Sequence, residues 1–450
     1  MILKSKNISR KDFITRSTLA TAALTTMGPM AVSGKKTRKK MGNPIGANDR
    51  INVAVSGIRG RGQSLIRGFA NLDNVHIKTL CDIDERLFSE RVDMTAELQG
   101  SRPGTEIDIR RVMDDPDIDV IGDATPNHWH ALSTIWACQA GKDVYVEKPG
   151  SHNIWEGRKM VDAARKYNRI VQHGTQIRSN PGIQEAIQHL HDGLLGEVYM
   201  ARGLCYRWRG DIGKKPIIPA PKEVHYDLWL GPAQYVPYSE SRVHYDWHWQ
   251  WEFGNGDIGN QGVHQMDVAR WGLGVELPSR VTSMGGMFLW DDDKTVPNVI
   301  NSSFLFPDAG EKGKMMVFDT RPWITNDEKN AKVGVIFYGS EGYMVIDSYT
   351  HYKTYMGRDE EPGPEKDEGG DHYANFIEAV RARDRYLLNA EIYEGHLSSA
   401  LCHMGLISTR LNRNLEFDPR AERFIGDEDA NASIYMKRNY RRPFVIPDYV

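Results

Sequence analysis

The sequence predicts an α/β chain. A doubly wound parallel sheet spans residues 48–170, and an α+β domain with a large, mostly antiparallel open sheet spans 171–415. Residues 416–450 form an extended C-terminal strap. Three observations predict this. From residue 48, apolar strand-like runs alternate with helical runs, the pattern of βαβ units. The first strand leads straight into a glycine-rich loop and a helix start. After residue 198, β-branched or alternating runs succeed one another with turn signals between them, as antiparallel sheets require.

Residues 51–55 are a short apolar strand, and Gly57, Ile58, Arg59, Gly60, Arg61 and Gly62 follow at once. Residues 63–71 then carry Leu65, Ile66 and Phe69 on one helical face. Glycines there permit a tight turn and close backbone approach, and a helix N-terminus faces a dinucleotide's pyrophosphate. Arg59 occupies the middle glycine position of G-x-G-x-x-G. Either its Cβ lifts the cofactor or its guanidinium takes a phosphate. The second strand, 76–80, ends at Cys81-Asp82, where an acid binds the adenosine ribose hydroxyls. A carboxylate there repels a 2′-phosphate, which selects NAD over NADP; Arg86, close by, pulls the other way.

Residues 120–149 read as a buried strand, a polar loop, a helix over 130–140, a turn at Gly141-Lys142, a second short strand and Glu147-Lys148-Pro149. Both strand ends fall at the carboxyl edge of the sheet, where open α/β folds bind ligands. Thr125, Pro126, Asn127 and His128 line the nicotinamide side, with Glu147 and Lys148 beside them. Lys148 is placed to reach a reacting group. Helices over 85–98 and 154–167 and a strand over 170–173 complete this half, and 180–195 is the next helix.

Strands follow over 198–206, 280–289, 299–306, 314–319, 333–338 and 343–348, and helices return over 371–383 and 391–412. Residues 207–262 are a long aromatic insertion. Within it Tyr245-Asp246-Trp247-His248-Trp249-Gln250-Trp251 forms a sugar platform, led by Trp247, His248 and Trp249, whose flat faces match the C–H faces of pyranose rings. The alternative is an interdomain or subunit contact, since aromatics favour interfaces. Asn260, His264 and Asp267 share one helical face at spacings of four and three. A histidine there suits a general base at neutral pH, the alternative being a buried packing residue. Arg178 and His372 are further pocket candidates. His128-Trp129-His130 lacks a carboxylate or cysteine partner at ligand spacing, so no metal is assigned. Asp291-Asp292-Asp293 reads as a solvated loop.

The run Thr125-Pro126-Asn127-His128-Trp129-His130, the Glu147-Lys148-Pro149 tripeptide, the glycine-rich segment ending in His264-Gln265-Met266-Asp267 and the helix around Glu394-Gly395-His396 resemble the glucose–fructose oxidoreductase/inositol dehydrogenase (Gfo/Idh/MocA) family. The resemblance covers nearly all of the chain after residue 48. It implies an N-terminal Rossmann domain, a C-terminal α/β domain whose open sheet mediates homo-oligomerisation, a nicotinamide cofactor and a sugar or polyol substrate. It also implies that Lys148 and His264 are catalytic. Many members carry Asp four residues before that histidine, where this chain has Asn260. An amide can hold the ring by hydrogen bonding but cannot stabilise an imidazolium by charge.

Composition narrows the rest. A net charge of −3 with 26% charged residues gives no field favouring nucleic acid or acidic lipid. Cys81, Cys138, Cys205 and Cys402 are scattered without a C-x-x-C pair, which gives neither a zinc module nor a disulfide framework. Ser9-Arg10-Lys11-Asp12-Phe13-Ile14 and the apolar run 19–32 resemble a twin-arginine leader with Lys11 for the second arginine. Residues 1–34 are then a leader and 35–47 a basic linker, and the protein is exported to the periplasm or cell envelope; a disordered tail on a cytoplasmic protein is the alternative. The run is too short to span a bilayer. Export of a folded protein implies a tightly held NAD. The function these features point to is NAD-dependent oxidoreduction of a hydroxyl on a sugar, polyol or glycoside. Redox-neutral, NAD-dependent glycoside hydrolysis is the alternative. A third reading, a non-catalytic sugar or nucleotide sensor, sits poorly with both Lys148 and His264.

Overall fold

The computed structural model describes Gly46 and residues 49–450. The expected leader (1–34) and, Gly46 apart, the linker (35–47) lie outside the described residues. Six strands, β1 (Ile51–Ser56), β2 (Val75–Cys81), β3 (Gly104–Glu106), β4 (Val120–Asp123), β5 (Asp143–Val146) and β6 (Val171–His173), form a parallel sheet in the order β3-β2-β1-β4-β5-β6. Ile51, Val53, Ala54 and Val55 of β1 are fully buried, as a strand covered on both faces requires. The strand order reverses between β1 and β4, which opens a crevice at their carboxyl ends.

Boundaries differ from expectation in ways that matter for the site. The first helix is Gly60–Ala70, so the second part of the glycine loop, Gly60, Arg61 and Gly62, lies in its first turn. The helix after β4 begins at Asn127, with Pro126 extended before it (φ −63°, ψ 154°), which puts Asn127 and His128 at the helix start facing the crevice end of the sheet. β6 pairs with β5, so the parallel sheet runs to His173 rather than 170.

The second sheet has ten strands: β7 (Met200–Cys205), β8 (Arg280–Gly286), β9 (Val299–Phe306), β10 (Lys314–Thr320), β11 (Val333–Tyr338), β12 (Gly342–Ile346), β13 (His351–Met356), β14 (Glu361–Asp367), β15 (Leu415–Asp418) and β16 (Arg423–Phe424). Their order is β14-β13-β12-β11-β7-β10-β9-β8-β15-β16, and β7 with β10 is the one parallel pair. On β9, Ile300, Ser302, Phe304 and Phe306 alternate inward. That face packs with Phe318 and Phe337 against Val263 and Met266 of the Gly262–Leu273 helix and Leu397 and Leu401 of the Ile392–Leu411 helix. Four strands of this sheet, β13, β14, β15 and β16, are absent from the sequence reading. β14 is Glu-Pro-Gly-Pro-Glu-Lys-Asp, which reads as loop; it is an edge strand, the position where charges and prolines belong.

The C-terminal residues are not one extended strap. β15, β16 and the Glu428–Asn431 helix come first. The chain then returns to the first half: Ile154 and Trp155 donate backbone N–H groups to Tyr435 (3.0 Å) and Met436 (3.1 Å), and Phe444 meets Trp129 edge-on at 5.4 Å.

The insertion over 207–262 also lies against the first half. Asp84 and Val224 form an antiparallel bridge, Glu85 N donates to Glu223 O (3.0 Å) and His225 N donates to Ile83 O (2.9 Å). Asp292 is not solvated: it pairs with Lys294 at 2.6 Å, both side chains buried, and accepts from Ile212 N, pinning the start of the insertion. Among the described residues, no helix is long and apolar enough to cross a membrane.

Candidate active site

A cleft of about 570 Å³ follows the crevice at the carboxyl ends of β1, β4 and β5, within the usual size of ligand sites. Its floor is the glycine loop. Gly57 has φ +76°, and a Cβ there would stand 2.5 Å from the Ala124 carbonyl oxygen, so only glycine lets the β1 and β4 loops meet. Gly62 is buried, its Cβ position 2.0 Å from Gly57 O, whereas a Cβ on Gly60 would meet nothing within 4 Å and would point into open space. Arg59 and Gly60 are exposed at the helix start and line the cleft. Such a cradle at a helix N-terminus fits a pyrophosphate.

At one end lies Asp82, which accepts from Ile58 N (2.8 Å) and Asp84 N (3.0 Å). Burial pushes its carboxyl up to about 6. Arg86 is held by Asp84 through two 2.7 Å hydrogen bonds, so it is engaged by a carboxylate rather than free for a 2′-phosphate. Ile58 itself is buried and contributes through its backbone.

At the other end, Thr125, Pro126, Asn127, Glu147, Lys148 and Asn260 line the wall. Asn127 Nδ2 donates to Asn255 Oδ1 at 2.7 Å. Glu147 pairs with Arg61 at 2.7 Å, tying the glycine loop to the end of β5. Burial alone would raise the Glu147 carboxyl; Arg61 and Lys148 outweigh it and hold it below the ordinary range. Lys148 Nζ donates to the Asn260 backbone oxygen and to Asn260 Oδ1 (3.2 Å). Burial brings its amine down to about 8, with Glu147 opposing and Arg61 and Arg209 assisting.

The remaining candidates separate. Asn260 ends the short Gly256–Asn260 helix and His264 belongs to the next, so the shared face is broken at Gln261. Asn260 binds Lys148 rather than the histidine ring. His264 is 2% exposed, one turn behind the cleft wall, its ring 5.1 Å from that of Tyr349 and its Nδ1 without a partner among the described residues. Burial, with Lys148 and Arg61 nearby, drives its ring far below the ordinary imidazole value. Arg178 and Asp267 form a buried bidentate pair (2.7 and 3.0 Å) joined by Ser398 and Glu394; they hold helices together and do not line the cleft. His372 is likewise structural, bonded to Ser179 Oγ (2.5 Å) and His173 O (2.9 Å).

His128 packs beneath the wall, its Nε2 3.0 Å from Trp229 O, and burial brings its ring down to about 3. His130 bridges the two wall loops, with ring nitrogens 2.7 Å from Pro149 O and 2.7 Å from Thr125 O. Both histidines are thus bound to backbone.

The aromatic platform divides in the same way. Trp247 and His248 line the cleft, stacked on each other at 3.6 Å, so one face of Trp247 is already covered. Trp249 turns away beneath Arg209. Wall residues that sequence reasoning left out include Asp84, Trp229 and His244. Only the docking of the insertion brings Trp229 and His244 there, and no local pattern reports it.

Residues 51–175 match the family model described as the oxidoreductase family, NAD-binding Rossmann fold (GFO_IDH_MocA). Residues 191–283 and 338–446 match the model of that family's C-terminal alpha/beta domain. The chain belongs to the Gfo/Idh/MocA oxidoreductase family, and residues 51–175 are that family's NAD-binding domain.

Among relatives, it is 25% identical over 202 residues to a glycosyl hydrolase family 109 protein of Shewanella pealeana, 42% of this chain and 44% of that one. It is 35% identical over 105 residues to levoglucosan dehydrogenase of Pseudarthrobacter phenanthrenivorans, 23% and 27% of the two chains. These matches span less than half of either partner. Among solved structures, levoglucosan dehydrogenase with NADH and levoglucosan aligns with TM-score 0.63 at 18% identity, covering 82% of this chain and 99% of that one. Aldose-aldose oxidoreductase from Caulobacter crescentus with glycerol aligns at 0.61 and 19%, covering 82% and 100%. At these identities the likeness is one of fold.

Proposed function

We propose that this chain is an NAD-dependent oxidoreductase acting on a hydroxyl of a sugar, polyol or glycoside. The observation that carries the reading is Lys148: a buried amine brought down to about 8, at the strand end where the cofactor cleft meets a polar and aromatic wall. Gly57, Gly60 and the helix start hold the pyrophosphate, Asp82 the adenosine ribose, and Thr125, Pro126 and Asn127 the nicotinamide side. Bound NAD supplies the acceptor for a hydride from the carbinol carbon. Lys148, as the neutral amine, takes the hydroxyl proton. Trp247 and His248 bound the sugar. His264 is buried and hard to protonate, and the base is Lys148. Pairing of Arg86 with Asp84 favours NAD over NADP.

A second reading has its own support. The insertion lies against the adenosine end of the cleft through Val224 and His225, which favours a cofactor kept through the cycle. Carboxylates along the cleft are committed: Asp82 to backbone, Asp84 to Arg86, Asp108 to Arg110 and Glu147 to Arg61. Among the described residues that line the cleft, this leaves no acid pair of the ordinary glycosidase kind. Transient oxidation, elimination of the aglycone, hydration and re-reduction would use the same Lys148.

The deciding experiment incubates the protein with a panel of aldoses, polyols and aryl glycosides in deuterium oxide with substoichiometric NAD. A keto-sugar with matching NADH identifies the oxidoreductase. Released sugar with deuterium beside the oxidised carbon and no net NADH identifies the hydrolase. An unchanged panel removes both. Two coarser features complete the proposal: residues 1–34 direct export, which intact mass of native material tests, and the open face of the ten-stranded sheet pairs protomers, which light scattering tests.

A further inference from the structure

We propose that Tyr245 is a catalytic residue, whose phenolic hydroxyl donates a hydrogen bond to the same substrate oxygen that Lys148 deprotonates. The inference rests on the reading of Lys148 as the base in oxidation of a sugar hydroxyl. It assigns the second polar group at the reacting oxygen to the insertion and not to the Gly262–Leu273 helix.

The geometry carries it. Tyr245 stands at the cleft wall with 48% of its surface exposed. Its oxygen accepts from Arg209 Nη1 at 2.9 Å and from Asn260 Nδ2 at 3.4 Å. A phenol oxygen has two lone pairs and one proton. With both lone pairs facing N–H donors, the O–H is left to donate, and the open side is the cleft. Asn260 Oδ1 in turn accepts from Lys148 Nζ at 3.2 Å. One side-chain amide therefore holds the amine and the phenol on the same wall, each through a different end.

The far side is fixed as well. Arg209 is locked by Asp257, with Nε 3.0 Å from each carboxylate oxygen, and its guanidinium lies over Trp249. His248 Nδ1 bonds the Tyr245 carbonyl at 2.6 Å and anchors the backbone. A neutral donor held in advance at the point where negative charge develops lowers the barrier, because the protein need not reorganise when the proton leaves. The expected second group, His264, is one turn further on and buried, whereas the phenol is joined to Lys148 through a single side chain, Asn260, and lines the cleft.

The test uses the full-length protein with NAD and whichever panel sugar the wild type turns over. Tyr245→Phe is expected to lower kcat by about 10²–10³-fold, the usual cost of one such donor. Calorimetric affinity for NAD and KM for the sugar should stay within a few-fold. Tyr235→Phe, an exposed tyrosine on the same insertion, is the control and should match wild type. A purely structural phenol is separated by where the loss falls. A donor at the reacting oxygen costs kcat with KM and the melting temperature unchanged, whereas a structural bond costs melting temperature.

A Tyr245→Phe variant within threefold of wild type overturns the inference while the oxidoreductase reading stands. So does a loss that appears in KM or in the melting temperature and not in kcat. A wild type that leaves every panel sugar unchanged overturns the reading and the inference together.

Discussion

Lys148 is the residue on which pH dependence turns. Its ammonium is disfavoured by burial, so the neutral amine prevails only above about pH 8. Oxidation needs the neutral form as proton acceptor, and its rate should rise with pH through about 8. Ketone reduction needs the protonated form and should fall over the same range. Profiles of kcat in both directions check this; two limbs of the same sign would remove Lys148 as the base. Lys148→Ala should cost about 10²–10⁴-fold in turnover with NAD affinity retained, and His264→Ala distinctly less. Asn260 gives a sharper contrast. Read as a degraded aspartate, it predicts that Asn260→Asp preserves or raises activity. Its two-sided bonding predicts the reverse: a carboxylate cannot donate to Tyr245, and its charge would raise the Lys148 amine, so activity near neutral pH should drop. Lys148 and Asp82 were legible in the sequence because strand ends position them locally. The partnership of Lys148 with Asn260 spans 112 residues, and no spacing rule reaches that far.

At the scale of elements, the glycine loop separates folding from binding. Gly62→Ala drives a methyl into Gly57 O and should lower the melting temperature as well as NAD affinity. Gly60→Ala meets open space in the protein, so it should leave the melting temperature unchanged or slightly raised and weaken NAD alone. Thermal melts with and without NAD separate the two; an NAD-induced shift in Gly60→Ala as large as in wild type would mean the cofactor does not approach Gly60. Most of the strands and helices were readable from period and glycine punctuation. The helix start at Asn127 was not, because an extended proline begins it and no Ser, Thr or Asp cap marks it. β14 was not, because an edge strand rich in proline and charge has a loop's composition.

At the scale of the whole molecule, the insertion and the C-terminal residues both return to the NAD-binding half, where the outer wall of the cleft is built. NAD should therefore slow hydrogen exchange at the amides of Glu85 and His225, whose partners are Glu223 O and Ile83 O. Unchanged exchange at both amides would mean that the insertion does not close the cofactor site. The two sheets and their order of appearance were legible in the sequence; this closure was not, because residues 207–262 have almost no periodicity.

The proposed chemistry, hydride transfer from a sugar carbon with Lys148 as base, is common to the oxidative and the redox-neutral readings. It is tested most directly by quenching the NAD-loaded protein within one turnover after mixing with carbon-deuterated sugars of the panel, then weighing the extracted nicotinamide cofactor. A reduced cofactor carrying one deuterium in the wild type, and none in Lys148→Ala, is the predicted result. Sugar turned over with no deuterium in the cofactor would contradict it.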